Sequence, residues 1–208
     1  MSDVAIRHEM TPTEFEPSLF QTYSNKIGMW LFILSDSLTF GALLFAYSYN
    51  RISNPTWPTP FHNASIINAT VMTVFLLSSS LTMVMAVSAS SRGKRNATVG
   101  WLLATMAFGA GFVVLHVREW LGLIHEGMTP GHNPWGAAQF GGTFFTLTGL
   151  HMLHVTIGVA LLGVMVLRSL GKKFSSNDIE TSGLYWHFVD LVWMFIFPLV
   201  YLMSTRIE

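Results

Sequence analysis

The chain has 208 residues, no formal net charge, 51% hydrophobic residues and only 11% charged residues. Soluble domains usually carry about 25% charged residues, so this composition is typical of a membrane protein. The absence of cysteine excludes disulfides, thiolate metal sites and a cysteine nucleophile, and no basic stripe indicates nucleic-acid binding.

The first predicted element is a polar N-terminal segment, residues 1–26. Within it, Phe15, Leu19, Phe20 and Tyr23 have roughly helical spacing. The segment is either a short helix that lies flat on the cytoplasmic surface or an extended tail. It lacks the basic start and apolar centre of a cleavable signal peptide.

The rest of the chain, residues 27–208, is predicted to be a helical membrane domain. A membrane-spanning helix needs about 20 mostly apolar residues, and five segments meet that length. Short loops join most of them, so neighbouring helices should run antiparallel. The predicted fold is therefore an all-α membrane protein with a five-helix antiparallel bundle. Its spans are residues 27–49, 66–90, 98–124, 138–167 and 184–204.

The distribution of basic residues predicts the orientation. Most of the 11 Lys and Arg residues fall in the N-terminal segment, the second loop and the fourth loop, which share one side of a five-span bundle. An excess of basic residues marks the cytoplasmic side. We therefore predict a cytoplasmic N-terminus and an outside C-terminus. The residues on the cytoplasmic side are Arg7, Lys26, Arg92, Lys94, Arg95, Arg168, Lys172 and Lys173.

Small residues and one proline predict how the helices pack. Gly109 in the third span and Gly149 and Gly158 in the fourth would let helix backbones approach closely. Pro198 lies inside the fifth span, where it removes one backbone hydrogen bond and should bend the helix.

A single carboxylate raises the first functional question. Asp36 is the only acidic or basic side chain between residues 27 and 50. A charge inside a span is costly and usually has a partner or a function. Asp36 is protonated, or it pairs with a His on a neighbouring helix, a lipid or a water. It serves either a proton relay or a structural hydrogen bond, and the residues alone leave both open.

Three pairs of polar residues have i,i+3 spacing, which places each pair on one helix face. Such pairs can build a metal site inside a bundle. Their predicted depths differ, however, so the three pairs should not share one ion. The pair in the fourth span could bind a metal or haem by itself, or hydrogen-bond to neighbouring helices. The pairs are His116 with Glu119, His151 with His154, and His187 with Asp190.

Several longer stretches resemble one known family. GGTFFTLTGLHMLHVTIG at residues 141–158, YWHFVDLVWMFIFPLVY at 185–201 and GMWLFILSDSLTFGALLFAY at 28–47 are similar to helices of subunit III of haem-copper oxidases. WPTP at 57–60 is similar to a loop of the same family. The resemblance extends from Lys26 onward. The FPLVYL ending is similar to the bacterial branches of the family, which include quinol oxidases and the subunit III-like protein that accompanies nitric oxide reductase.

The resemblance implies a non-catalytic role in a respiratory oxidoreductase complex of the bacterial inner membrane. Family members hold no haem and no copper, so we expect no catalytic residue, cofactor site or metal ligand in this chain. Haem and copper would belong to the partner subunit I, which this chain would contact directly, with subunit II, and a subunit IV where there is one, in the same complex. The family binds phospholipid in a cleft, supports proton uptake and slows inactivation during turnover.

The resemblance also implies roles for the polar residues. One group is assigned to the lipid cleft or to buried polar contacts, and Arg118, like the basic loop residues, to phospholipid headgroups. A second group is assigned to hydrogen bonds that hold the bundle together. The first group is Asp36, His116, Arg118, Glu119, His151 and His154, and the second is Trp186, His187 and Asp190.

One departure and three alternatives complete the prediction. The long form of the family has seven spans, and this chain starts at the equivalent of the third, so one wall of the lipid cleft is absent or comes from a partner. The first alternative is an accessory subunit of a nitric oxide reductase. The second is a stand-alone metal or haem protein that uses His151 and His154. The third is a small transporter with Asp36 as its proton site.

Overall fold

The computed structural model describes residues 19–61, 63–171 and 175–204, with side chains from residue 24 onward. All five long helices of this part of the chain are long and apolar enough to cross a membrane, and it contains no strand. The predicted all-α, five-span fold is therefore confirmed. The proposed surface helix or tail falls mostly on residues 1–18, outside the described residues. The helices are α1 (Leu19–Ser53), α2 (Asn63–Ser91), α3 (Arg95–His125), α4 (Gln139–Leu170) and α5 (Ser176–Ile196).

The start of α5 lies eight residues before the predicted span. Ser175 is the N-cap residue, and its side chain accepts a hydrogen bond from the backbone N–H of Asn177 at 3.2 Å. Asp178 in the first turn complements the positive end of the helix dipole. Hydropathy finds where the apolar residues begin, whereas the cap fixes where the helix begins.

The end of α5 changes its helical geometry around Pro198. Residues Phe197–Tyr201 form a π-helical turn, and Leu202–Ser204 form a 3-10 turn. Proline has no N–H to donate, so a carbonyl group of the preceding turn loses its usual partner. Arg51, in the last turn of α1, donates to the carbonyl groups of Leu199 and Met203. A cation from the first helix thus caps the last one.

The helices form a bundle in which α1 is peripheral. α2 packs on α3 and α5, α3 packs on α4, and α4 packs on α5, whereas α1 packs mainly on α4 and α5. One stripe of α1, which includes Phe40 and Tyr47, is buried against the bundle. The opposite face exposes large apolar side chains, namely Ile27, Leu31, Leu34, Leu38, Phe45 and Ile52.

The centre of the other four helices is filled by Trp186. Its indole N–H donates to the Ser79 hydroxyl on α2 at 2.9 Å, and its side chain is almost fully buried. A Cβ added at Gly109 on α3 would lie 2.5 Å from the ring, and one at Gly158 on α4 would lie 2.9 Å from it. Both glycines are therefore needed for a close helix approach, as the sequence pattern predicts.

Candidate functional site

Asp36 is paired with His154. The Oδ2 atom of Asp36 on α1 lies 2.8 Å from Nε2 of His154 on α4. The two side chains are only 17% and 12% exposed, so the pair lies inside the α1–α4 contact. Asp36 shares the buried stripe of α1 with Phe40, whose ring centre is 5.3 Å from that of His154. A His on a neighbouring helix, one of the predicted partners, is thus the partner of Asp36.

The hydrogen bonds of His154 determine how many protons the pair holds. Its Nδ1 lies 2.8 Å from the carbonyl oxygen of Leu150, and a carbonyl oxygen can only accept, so Nδ1 carries a hydrogen. The contact between Nε2 and Oδ2 needs one further hydrogen between the two atoms. The pair is therefore a carboxylic acid with a neutral imidazole, or a carboxylate with an imidazolium. Both forms have zero net charge, which makes the pair tolerable within a span.

A third helix reaches the same pair. The Tyr185 hydroxyl on α5 donates to the backbone carbonyl of His154 at 2.9 Å, and the Tyr185 ring lies 5.9 Å from Phe32 of α1. Asp36, His154 and Tyr185 thus connect the peripheral helix α1 to both helices on which it packs. We refer to these three residues as the α1 junction.

His151 occupies a different environment from His154, although the two are three residues apart. Its ring lies 5.3 Å from Trp193 and 5.6 Å from Phe112, and the residue is fully buried. Neither of its nitrogens has a hydrogen-bond partner among the described residues. The Trp193 indole N–H instead donates to the Thr73 hydroxyl at 3.0 Å. The i,i+3 spacing therefore does not bring the two imidazoles to one common ligand site.

His116 lies close to His151, although the pairs to which they belong were predicted to lie at different depths in the membrane. Its ring lies 5.7 Å from that of Trp193 and 5.5 Å from that of Phe112, and both of its nitrogens also lack partners among the described residues. His116 precedes the end of α3 by about 14 Å, and His151 follows the start of α4 by about 18 Å, at the rise of an α-helix. Because the two helices are antiparallel, those depths nearly coincide.

Glu119 is bonded to the end of the last helix. Its Oε2 accepts a hydrogen bond from the buried Tyr201 hydroxyl at 2.9 Å, whereas its Oε1 is buried without a partner among the described residues. Near the same end, the Tyr47 hydroxyl lies 3.2 Å from the Ser204 hydroxyl. The π-helical turn is thus bonded to α3, and the 3-10 turn that follows it is bonded to α1.

His187 and Asp190 lie on α5, and His187 has a partner on α2. Nδ1 of His187 lies 2.8 Å from the Ser80 hydroxyl on α2. Asp190 is only 7% exposed, and neither of its carboxyl oxygens has a hydrogen-bond partner in the described part of the chain. The His187 contact with Ser80 and the Trp186 bond to Ser79 place these two residues at the α2–α5 interface.

The donor geometry does not fit the metal-site hypothesis. Among residues 19–61, 63–171 and 175–204, no group of three or more His, Asp or Glu side chains is arranged to hold an ion. His154 has no nitrogen left for a metal, because Nδ1 is bonded to Leu150 and Nε2 to Asp36. His151 alone cannot make a two-histidine site with it.

Several basic residues of the predicted cytoplasmic side make contacts within the chain. Lys26 pairs with Glu180 at 2.9 Å, and Arg168 approaches Asp178 at 3.5 Å. Arg95 donates to the carbonyl group of Leu170. Exposed ion pairs of this kind contribute about 0–1 kcal/mol each. These contacts tie α1 and α4 to α5, and α3 to α4, at one end of the bundle.

Sequence reasoning missed most of the partners of the predicted polar residues. Tyr185, Tyr201, Ser79, Ser80 and Thr73 each accept or donate one of the bonds that cross between helices. The available signal was weak: hydroxyl and indole groups inside apolar spans, where a polar group usually finds a partner.

Comparison with known proteins gives consistent similarities. Residues 17–205 match the family described as "Cytochrome c oxidase subunit III". The chain is 36% identical to a quinol oxidase subunit 3 of Bacillus spizizenii, with 86% of this chain and 87% of the relative covered. It is 33% identical to a cytochrome bo(3) ubiquinol oxidase subunit 3 of Pseudomonas putida, covering 86% of each. It is 31% identical to a cytochrome c oxidase subunit 3 of Bacillus subtilis, covering 94% of each.

Proposed function

Because the chain belongs to the subunit III family of haem-copper oxidases, we propose that it packs directly on subunit I of such an oxidase. Membership makes it a multi-pass membrane protein of an oxidase complex. In the proposal, haem and copper belong to subunit I, and subunit II, with a subunit IV where there is one, completes the complex. All the relatives named above are bacterial, which supports the bacterial inner membrane, with the N-terminus cytoplasmic.

The observation that carries the proposal is the closed pair of Asp36 and His154. Its one shared proton is held between Nε2 and Oδ2, and Nδ1 of His154 is engaged by a carbonyl group of its own helix. A group in that state is suited to holding helices together, because no nitrogen is free to bind a metal or a substrate. We propose that the α1 junction fixes α1 on the bundle, and that subunit III acts on subunit I through this fixed surface.

The exposed face of α1 supports a lipid-binding role. Its large apolar side chains, such as Leu34 and Leu38, face away from the described helices, whereas Asp36 faces the bundle. In the longer family members, two additional helices form one wall of a lipid cleft. We propose that phospholipid, or helices of a partner subunit, cover this face. Asp36 would then support lipid binding and proton uptake indirectly, by holding α1 in place.

The alternatives are not favoured. The relatives reported above are named as subunits of quinol and cytochrome c oxidases, which favours an oxidase over a nitric oxide reductase. The hydrogen bonds of His154 disfavour a metal or haem protein built on His151 and His154. The closed Asp36 pair likewise disfavours a transporter with a proton site at Asp36.

The test is substitution of Asp36 in the assembled oxidase. We expect Asp36→Ala to leave assembly and the reduced-minus-oxidised spectrum unchanged, because haem and copper belong to another subunit. We expect activity to decay faster during turnover than in the unmodified complex. Ser37→Ala is the matched control, since its exposed hydroxyl only bonds the Ile33 carbonyl group of the same helix.

Two results would contradict the proposal. An active lifetime and lipid content equal to those of the Ser37→Ala control would leave Asp36 as a packing residue only. Purification of the chain without subunit I, but with bound haem or metal, would show that the chain is not an accessory subunit.

A further inference from the structure

One polar side chain reaches the outer surface of the bundle at a depth where a membrane is apolar. His187 on α5 is partly exposed, and its Nδ1 lies 2.8 Å from the hydroxyl group of Ser80 on α2. Its Nε2 is not among the fully buried nitrogens, and it makes no hydrogen bond in the described part of the chain. One nitrogen of this imidazole therefore connects two helices, and the other faces outwards without a partner.

The depth of His187 follows from the lengths of the helices. The 29 residues of α2 extend for about 44 Å, so about 7 Å projects beyond each side of a hydrocarbon core about 30 Å thick. Ser80 precedes the end of α2 by about 16 Å, and His187 follows the start of α5 by about 16 Å, at the rise of an α-helix. Both groups thus lie about 9 Å inside the hydrocarbon, below the lipid headgroups.

The surface around His187 is otherwise apolar. Phe188, the next residue of α5, packs against Phe40 of α1 at a ring distance of 6.3 Å, so α1 covers the other flank of α5. The side of α5 next to α2 exposes large apolar side chains within about two turns of the His187–Ser80 contact, and so does the adjoining edge of α2. We call this surface the α2–α5 face, and it comprises Leu184, His187, Leu191 and Met194 of α5 with Leu77 and Val84 of α2.

The exposed nitrogen indicates what covers this face. An acyl chain offers neither a donor nor an acceptor to Nε2 of His187, whereas a polar side chain at this depth usually meets another protein group. The complementary surface is therefore an apolar membrane helix that carries a hydroxyl or carboxamide side chain. Either group can donate or accept, so it fits both tautomers of the imidazole. A charged side chain fits less well, because a single neutral partner does not replace its hydration.

We propose that the α2–α5 face docks on a membrane helix of subunit I, and that Nε2 of His187 is hydrogen-bonded to a hydroxyl or carboxamide side chain of that helix. This inference rests on the proposed packing against subunit I, and it adds the face and the contact that are used. The apolar side chains of the face pack against the partner helix, and the hydrogen bond fixes the depth at which the two helices meet.

The first experiment identifies the neighbours of the face by cross-linking in native membranes. The photoreactive residue p-benzoylphenylalanine replaces Leu191 in the assembled oxidase, and the cross-linked products are identified by mass spectrometry. Leu153 on α4 is the matched control, since it is 53% exposed against 55% for Leu191. The two positions lie about 25 and 22 Å from the same end of the bundle. We expect a cross-link to subunit I from position 191 and none above background from position 153.

The second experiment tests the hydrogen bond. The dissociation constant between this chain and affinity-tagged subunit I is measured in mild detergent. We expect His187→Leu to raise it by about two- to tenfold, which is the value of one hydrogen bond. Ser80→Ala is the matched control, because it removes the partner of Nδ1 within the bundle and leaves the outward Nε2 in place. That variant should leave the dissociation constant unchanged.

Three outcomes would overturn the inference. Cross-links from position 191 only to lipid, or to a second copy of this chain, would assign the face to another occupant. Equal cross-linking of subunit I from positions 191 and 153 would show that the α2–α5 face is not the docking surface. Equal weakening by His187→Leu and Ser80→Ala would leave His187 as a contact within the bundle only.

The same data separate this inference from the proposed function on which it rests. A cross-link to subunit I from position 153 alone would retain the packing on subunit I and reject the α2–α5 face. Purification of the chain without subunit I would reject both.

Discussion

The contact between Gly109 and Trp186 gives a prediction whose size follows from the geometry. A Cβ at position 109 would lie 2.5 Å from the Trp186 ring and 2.9 Å from a methyl group of Val159. The ring cannot retreat, because Gly158 is packed against it as well and its N–H is bonded to Ser79. Overpacking of this kind costs about 1–3 kcal/mol of stability. Alanine has a better helix propensity than glycine by about 1 kcal/mol, which offsets part of that cost.

The net loss of stability is therefore about 0–2 kcal/mol. We expect Gly109→Ala to lie near the upper end, at about 2 kcal/mol, because the added Cβ collides with two neighbours. The measurement is unfolding of the purified chain by SDS in mixed micelles, followed by tryptophan fluorescence. Gly100→Ala is the matched control on the same helix, where a Cβ would meet nothing within 4 Å. That variant should be as stable as the parent or more stable by about 0.5–1 kcal/mol. Equal stability of the two variants would refute the packing argument.

Three further predictions use the same unfolding assay. Asp36→Asn should retain stability, because its amide can donate to Nε2 of His154, whereas Asp36→Leu should cost about 1–3 kcal/mol by leaving that nitrogen unpaired. Arg51→Gln should cost about 1 kcal/mol, and hydrogen exchange should increase in the 3-10 turn whose carbonyl group it caps. Trp193→Phe and Thr73→Val should show a coupling energy of about 1 kcal/mol in a double-mutant cycle, the value of the single hydrogen bond between them.

Each of these predictions has a clear contrary result. Equal losses for the Asn and Leu variants at Asp36 would show that the contact with His154 is not a stabilising hydrogen bond. Hydrogen exchange unchanged by Arg51→Gln would show that the turn is held by the other contacts of its side chains. Additive effects of the Trp193 and Thr73 variants would mean that their hydrogen bond has no net value.

The five spans were predictable because the signal for each is local. A run of about 20 apolar residues specifies a membrane helix without any knowledge of its neighbours. The start of α5 was not found in this way, since Ser176 to Gly183 are mostly polar. Its signal was the Ser175 cap followed by Asp178, which a hydropathy window does not detect.

Partners across helices were much harder to predict, because they depend on the rotation of each helix about its own axis. His151 and His154 share one face in sequence terms, yet one packs on Trp193 and the other bonds Asp36. Two side chains three residues apart diverge by about 60° around a helix, which is enough for two different neighbours. Spacing within one helix therefore identifies the polar residues that make contacts, whereas the packing of the helices determines what each of them contacts.

The position of Trp186 also has a consequence for biogenesis. α5 is the last of the described helices to leave the ribosome, yet it supplies the side chains that fill the centre of the bundle, Trp186 and Trp193 among them. Until it inserts, Gly109 and Gly158 face an unfilled space between α3 and α4, and Ser79 lacks the indole to which it is bonded. We expect a translation product that stops before α5 to remain loosely packed and to be degraded. The cell would thereby offer only fully synthesised bundles for incorporation into the oxidase.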